Sequence, residues 1–305
     1  MITLIHDIAA QLQAAYPRDE AEALAWWIAE ETTGLSRSQI LTGCKITKNF
    51  AYTQEISAAN ANLQEKMPKN WQEIINRLLH FEPIQYIFGH TLWCGLDLKV
   101  TPATLIPRPE TAELVETISN FKFQISNIPV RVLDVGTGSG CIAIALKKMH
   151  PEWKVTGIDI SAEAIEVAKE NAQRNGVEVS FLQMDILSDK NGVIEPFSGI
   201  ENEVIEPFDI IVSNPPYICE KEKKDMRRNV LDFEPASALF VPDEDPLIFY
   251  RRIAELHWGK YVFFEINEAY PAELSAVLST CGYSDIRTTN DSYGKPRIIQ
   301  ARSTR

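Results

Sequence analysis

Val132-Leu133-Asp134-Val135-Gly136-Thr137-Gly138-Ser139-Gly140, followed by the apolar stretch Cys141 to Met149, decides the fold of this chain. The first four residues have the pattern of a buried strand, the glycines break it, and the apolar stretch has helical spacing. A strand, a glycine turn and a helix start open many α/β nucleotide sites. Gly136, Thr137, Gly138, Ser139 and Gly140 are therefore candidate cofactor-binding residues. Glycines let a ligand approach the backbone N–H groups closely, and a helix N-terminus adds positive potential. The dinucleotide fingerprint fits poorly, because Cys141 stands where its sixth position needs Gly or Ala. A G-x-x-x-x-G-K-[ST] sequence is absent, so a P-loop nucleotide site has no support.

Working outward, Lys154-Val155-Thr156-Gly157-Ile158-Asp159-Ile160 reads as a second strand carrying an acid about twenty residues beyond the glycines. That is where a carboxylate accepts hydrogen bonds from ribose hydroxyls, so Asp159 is expected to do so. The alternative is a surface acid beside a helix capped by Ser161, with Glu163 in its first turn. A third strand over residues 179–183 leads into Met184-Asp185-Ile186, where Asp185 is placed to meet an adenine amino group and Ile186 to pack on its ring.

The fourth strand, Ile210-Ile211-Val212-Ser213, runs into Asn214-Pro215-Pro216-Tyr217. A residue before proline is held extended, which applies to both Asn214 and Pro215. The prolines have no N–H, so the loop offers carbonyls, one side-chain amide and one aromatic ring with few competing donors. Such a loop suits a planar amino group. Asn214, Pro215 and Tyr217 are the candidate catalytic residues, and Pro216 completes the substrate-binding set. The plain alternative is a strand ending in a turn, with Tyr217 an ordinary packed aromatic.

Taken in order, these segments resemble S-adenosylmethionine-dependent methyltransferases acting on planar nitrogens. With residues 83–89 (Pro-Ile-Gln-Tyr-Ile-Phe-Gly), 105–111 (Leu-Ile-Pro-Arg-Pro-Glu-Thr) and Phe233-Glu234-Pro235, the chain is similar, more narrowly, to the release factor glutamine methyltransferases, the PrmC/HemK family. The resemblance implies a Rossmann-like α/β domain, with a seven-stranded doubly wound sheet closed by an antiparallel hairpin, behind a small helical bundle. It implies S-adenosylmethionine as methyl donor, S-adenosylhomocysteine as product, and no metal. It also implies a substrate: the glutamine of the Gly-Gly-Gln loop of peptide chain release factors, converted to N5-methylglutamine. Asn214 would then border the donor as well as the substrate. Tyr217 is expected to stack on the amide plane. Arg108, extended before Pro109, is placed near the donor as a possible gate, or is simply an exposed residue at a helix entry.

Composition agrees with this reading. The 305 residues are enough for two domains, and 45% hydrophobic residues can supply a core for each. A net charge of −12 argues against a partner held mainly through phosphates, and so against an N6-adenine nucleic-acid methyltransferase. A glutamine methyltransferase of a ribosomal protein is the nearer alternative. The sequence contains no run of about eighteen apolar residues and no secretory pattern at its start, so a cytoplasmic location without membrane contact is expected. Cys44, Cys94, Cys141, Cys219 and Cys281 are scattered and read as reduced thiols.

Three segments are expected. Residues 1–82 have helical periodicity with Leu4, Ile5, Ile8 and Leu12 on one face, punctuated by Gly34, Gly43 and Pro68, and read as a docking bundle or a structural cap. Residues 83–109 read as a linker with a β-hairpin, and 110–305 as the methyltransferase domain. Lys221, Lys223, Lys224, Arg227 and Arg228, interleaved with Glu220, Glu222 and Asp225, form either a solvated face or a docking rim. Two places depart from the family pattern: Asn267, where Gly commonly follows Glu-Ile, and Tyr270, where Gln is usual. The run Val193-Ile194-Glu195-Pro196-Phe197 recurs at 204–208, which reads as a duplicated acidic surface loop.

Overall fold

Apolar residues at helix spacing make helices the regular elements of the first 88 residues, as far as these are described. The computed structural model describes residues 2–42, 71–123, 129–188 and 208–305. The chain divides into two units, Met1–Phe88 and Gly89–Arg305. In the first, α1 (Ile2–Leu12), α2 (Arg18–Thr33), α3 (Arg37–Thr42), α4 (Trp71–Leu79) and α5 (Ile84–Phe88) follow one another. Ile5, Ile8 and Leu12 share one buried cluster with Ala21, Ala25, Ile28, Ile75 and Leu78. Alanines on α2 allow a close approach of the helix axes. Helix α2 ends where Gly34, at φ 65°, turns its N–H back to the Glu30 carbonyl, a left-handed cap that favours glycine. Gly43, Cys44 and Pro68 lie outside the described residues, as does most of the repeated run at 193–197 and 204–208.

In the second unit, β1 (His90–Trp93) and β2 (Leu96–Lys99) form an antiparallel hairpin turned by Cys94 and Gly95, at φ 49° and 73°. Residues 83–109, expected as one linker, are shared between the units. Helix α5 belongs with the helices before it. The hairpin belongs with the catalytic sheet, because Trp93, Leu96 and Leu98 sit in that core. Asn171 also clasps the backbone of Lys99, accepting from its N–H at 2.6 Å and donating to its carbonyl at 2.9 Å.

Helix α6 (Pro109–Asn120) begins with proline in its first turn, which costs no hydrogen bond there. Then β3 (Arg131–Val135), α7 (Cys141–Met149), β4 (Lys154–Asp159), α8 (Ala162–Arg174), β5 (Ser180–Gln183) and β6 (Phe208–Ser213) alternate. After β6 come β7 (Ile218–Cys219), α9 (Arg228–Leu231), β8 (Phe240–Val241), α10 (Ile248–Leu256), β9 (Gly259–Glu265), α11 (Pro271–Thr280), β10 (Tyr283–Asn290) and β11 (Pro296–Ser303). The main sheet has the order β10-β11-β9-β6-β3-β4-β5. Its five strands from β9 to β5 are parallel, and β11 runs antiparallel to both its neighbours.

Alternate residues of the central strands feed opposite cores, as the period of two requires. Val132, Ile210 and Phe263 pack with α6, α7 and α8, through Leu114, Ile142 and Ala168 among others. Leu133, Ile211 and Phe264 pack with α10 and α11, through Tyr250, Ile253, Leu274 and Leu278. This is the doubly wound sheet with a closing hairpin that the resemblance implied. The parallel pair β7–β8, in register Ile218 with Phe240, was not foreseen, because two-residue strands carry no periodicity.

Sheet order also fixes where a ligand can sit. Strands β4 and β5 lie to one side of β3, and β6 and β9 to the other, so the order reverses between β3 and β6. Open α/β sheets bind ligands beyond the carboxyl ends of the strands at such a reversal. Val135 and Ser213, the last residues of the two strands, are paired, and Ser213 Oγ donates to the Val135 carbonyl at 2.7 Å. The glycine turn and the Asn-Pro-Pro-Tyr loop therefore leave the sheet side by side.

Candidate active site

A cavity of about 310 Å³ opens at this reversal, lined by residues 135–139, 158–161, 184–187 and 213–216 together with 103–105, Pro107, Arg108 and Thr111. The glycine turn is held by β4. Gly136 and Thr137 N–H groups both donate to the Ile158 carbonyl at 2.9 Å, and Gly138 N–H donates to Asp159 Oδ2 at 2.8 Å. Gly136 and Gly138 adopt φ 71° and 54°. A Cβ built on either meets no protein atom within 4 Å, so both positions face open space at the cavity wall. Gly140 serves packing instead: at φ 81° its Cβ would lie 3.0 Å from Ile144 and 3.1 Å from Ala168.

Asp159 accepts from Gly138 and also from Ser161 N–H, at 2.9 Å, and burial raises its carboxyl above the ordinary value despite these bonds. Ser161 caps α8 by accepting from Ala164 N–H at 3.1 Å. Thus Asp159 borders the cavity and lies two residues before the cap of the next helix. Asp185 is exposed and accepts from Leu187 N–H at 2.9 Å, whereas Ile186 is buried. Arg252 braces this stretch by donating to the carbonyls of Ile186 and Ser188 at 3.0 and 2.8 Å. Ile160, 56% exposed and bordering the cavity, offers an apolar surface beside Asp159 that the sequence reading passed over.

Asn214, Pro215 and Pro216 border the cavity; Tyr217 does not. Its ring is partly buried against the core, and its hydroxyl donates to Glu265 Oε1 at 3.1 Å. Glu265 Oε2 accepts from Thr111 Oγ1 at 2.7 Å, and Thr111 Oγ1 accepts from Asn214 Nδ2 at 3.2 Å. Asn267 Nδ2 donates to the Tyr217 carbonyl at 3.1 Å and to Glu222 at 3.3 Å, and Tyr270 Oη lies 3.5 Å from Cys219 Sγ. Asn267 therefore supports the end of the loop, and Tyr270 the short strand β7 that follows it. Burial pushes up the Glu265 carboxyl, opposed by the hydrogen bonds from Thr111 and Tyr217 and by the Arg297 guanidinium. Burial, then the neighbouring Glu265 charge, raises the Tyr217 phenol.

Arg108 is fixed in place. Its guanidinium donates to Glu234 Oε1 at 2.6 Å, Glu234 Oε2 accepts from Ile106 N–H at 3.1 Å, and the Arg108 carbonyl accepts from Trp93 Nε1 at 2.8 Å. The Glu234 side chain is 1% exposed. This pair joins the segment before α6 to the Phe-Glu-Pro segment.

Asp134, Thr111, Glu234 and Glu265 are the residues that sequence reasoning missed. For Asp134 and Glu265 a signal existed: a carboxylate inside an otherwise apolar buried strand. Asp134 Oδ2 accepts from Thr137 Oγ1 at 2.7 Å and Ala143 N–H at 3.3 Å, and burial lifts its carboxyl to about 7. Among the described residues, its Oδ1 has no hydrogen-bond partner, none of the groups of acidic, His and Cys residues suits a metal, and no helix is long and apolar enough to cross a membrane.

The chain matches known families and proteins along most of its length. Residues 3–89 match the PrmC N-terminal domain family, and 118–245 match a methyltransferase domain family. A release factor glutamine methyltransferase of Bacteroides thetaiotaomicron is 42% identical, covering 96% of this chain and 97% of its own. Proteins of the same name are 41% identical in Flavobacterium psychrophilum, over 75% of this chain and 79% of theirs, and 41% in Streptococcus pneumoniae, over 83% and 86%. Identity of this extent, spanning both units and every segment around the cavity, places the chain in the release factor glutamine methyltransferase family.

Proposed function

We propose that this chain methylates the side-chain amide nitrogen of the glutamine in the Gly-Gly-Gln loop of peptide chain release factors, with S-adenosylmethionine as donor. The observation that carries the reading is the juxtaposition at one cavity of two loops: an open glycine turn backed by Asp159, and an Asn-Pro-Pro loop with amide and carbonyl acceptors. The cradle fits the donor. Gly136 and Gly138 leave room where side chains would stand, and Asp159 and Asp185 are carboxylates at positions suited to ribose hydroxyls and an adenine amino group. Thr137, Ser139 and Gly140 complete the turn, and Ile186 with Ile160 supplies apolar surface for a flat ring.

When bound, S-adenosylmethionine supplies a methyl group already activated on a sulfonium. The difficulty lies with the acceptor, because an amide nitrogen has its lone pair delocalised into the carbonyl. The residues of the loop address this by placement. Asn214 Oδ1 and the Pro215 carbonyl accept the two amide hydrogens, which fixes the nitrogen and raises its electron density. The same acceptors stabilise positive charge as it develops there, without reorganisation. The Tyr217 ring does not border the cavity, so in this reading it anchors the end of the loop through Glu265 rather than stacking on the amide. The methylated nitrogen is acidic, so its proton can leave to solvent without a dedicated base. Arg108, tied to Glu234, holds the wall beside the donor and acts as a gate if that pair opens.

The helical unit 1–88 is the docking module in this reading, and the basic segment 221–228 is a rim beside the loop. Lys223 lies over the Phe240 ring at 4.2 Å and pairs with Glu220, which keeps this rim shaped. The test is transfer of labelled methyl to purified release factors, beside a Gly-Gly-Ala version, total ribosomal protein and duplex DNA. Label confined to the Gly-Gly-Gln glutamine supports the proposal. Label only on ribosomal protein or DNA overturns the substrate.

A further inference from the structure

We propose that Thr111 and Glu265 are positioning residues that decide which end of the Asn214 amide is offered to the substrate, through a one-way run of hydrogen bonds from Asn214 to Thr111 to Glu265. The proposal rests on the role of Asn214 given above and deepens it. A primary amide is nearly symmetrical in shape, with an oxygen that accepts and a nitrogen that donates. The rigidity of Asn-Pro-Pro does not choose between the two orientations. A flipped Asn214 would present NH₂ to a substrate NH₂, donor against donor.

The choice is made behind the loop. The two hydroxyls and the Arg297 charge favour the ionised form of Glu265 against its burial, and an ionised carboxylate only accepts, so Glu265 takes the hydroxyl hydrogen of Thr111 at 2.7 Å and that of Tyr217 at 3.1 Å. Thr111 has then spent its one hydrogen and can only accept from whatever lies on its far side. That group is Asn214 Nδ2, at 3.2 Å, which turns Oδ1 away from Thr111. Thr111 and Glu265 are 2% and 1% exposed, so water does not compete for these bonds. Strand pairing supplies the carboxylate: Phe264 of β9 lies opposite Ser213 of β6, which places Glu265 level with Asn214. One buried acid thereby governs both ends of the four-residue loop, the first through Thr111 and the last through Tyr217.

The full-length chain tests this with Thr111→Val, which keeps the shape and removes the hydroxyl, Thr111→Ser, which restores it, and Glu265→Gln, whose NH₂ must donate to one of the two hydroxyls. The expected result is a fall in kcat of about ten- to hundredfold for Thr111→Val. KM for the release factor and the dissociation constant for S-adenosylmethionine should stay within about threefold, and Thr111→Ser should recover most of kcat. In parallel, the Asn214 side-chain NH₂ resonances, identified by their loss in Asn214→Ala, should shift and exchange faster with solvent in Thr111→Val. Wild-type kcat in Thr111→Val, or an equal loss in Thr111→Ser, overturns the proposal. If Thr111→Val fails to fold, Glu265→Gln is measured in the same way: a comparable fall in kcat with shifted amide resonances supports the proposal, and wild-type kcat overturns it. If the wild-type chain methylates no release factor, the proposed function fails, and the amide resonances still decide the inference: unchanged signals in Thr111→Val overturn it.

Discussion

The glycine turn and the Asn-Pro-Pro-Tyr loop leave adjacent strands and border one cavity, yet they are built in opposite ways. The glycine turn is shaped by its own backbone: positive φ at Gly136, Gly138 and Gly140, and N–H groups satisfied by the neighbouring strand β4. The other loop is shaped by side chains remote in sequence, with Thr111, Glu265 and Asn267 holding Asn214 and Tyr217. A turn of the first kind makes a generic cradle that tolerates few local changes. A loop of the second kind can be tuned from a distance.

The comparison breaks first at Asn214. If that loop serves the acceptor and the turn serves the donor, Asn214→Ala should lower kcat by about a hundred- to thousandfold while calorimetry finds donor affinity nearly unchanged. A parallel loss of donor affinity would merge the two loops into one function. Asp159→Ala should behave in the reverse sense, weakening donor binding about ten- to hundredfold and leaving most of kcat at saturating donor. Unchanged affinity would remove Asp159 from the ribose position.

Smaller effects sharpen the contrast in how the loops are held. A Cβ on Gly157 would lie 2.7 Å from Thr137 Oγ1 and 2.8 Å from the Phe181 ring, so Gly157→Ala should cost about 1–3 kcal/mol in urea unfolding. Asp134, beneath the same turn, gives a pH signature. Its carboxyl stands at about 7 in the folded chain against an ordinary 3.8, so the folded state holds the proton more tightly. Stability from this group is complete below about pH 4, falls as pH rises towards 7, and is flat above. Asp134→Asn should therefore gain on the wild type between pH 5 and pH 8, by on the order of 2–3 kcal/mol, in denaturant titrations at the two values. A constant difference would place the ionisation elsewhere. Least of all, Asn267→Gly should cost about 1 kcal/mol for its bonds to Tyr217 and Glu222.

The same contrast explains what the sequence made legible. The residues at 136–140, Asp159 and Asn214 could be read because each announces itself locally: a glycine break, an acid at a strand end, an amide before two prolines. The doubly wound sheet followed from strands alternating with helices, and its buried strands read as continuous apolar runs. Thr111 stayed hidden, and the local signal at Glu265 went without a partner, because their meaning lies in a contact 154 residues apart along the chain, which no local period encodes. Glu234 stood in plain view within Phe-Glu-Pro, but its partner Arg108 is 126 residues away. The boundary at Phe88 was missed for a related reason. A five-residue helix and a hairpin differ less in pattern than in which core receives their apolar side chains.

The pairing of Val135 with Ser213 gives the molecule a built-in ruler. Neighbouring strands in any sheet are about 4.8 Å apart, a spacing set by backbone geometry and indifferent to side chains. Two loops launched from such neighbours inherit their separation from the sheet, so neither a change of acceptor nor a longer connection between β5 and β6 need disturb the alignment of the reacting groups. Acceptor specificity then becomes an exchangeable part, open to redesign from the α6 and β9 side while the donor half is left as it stands.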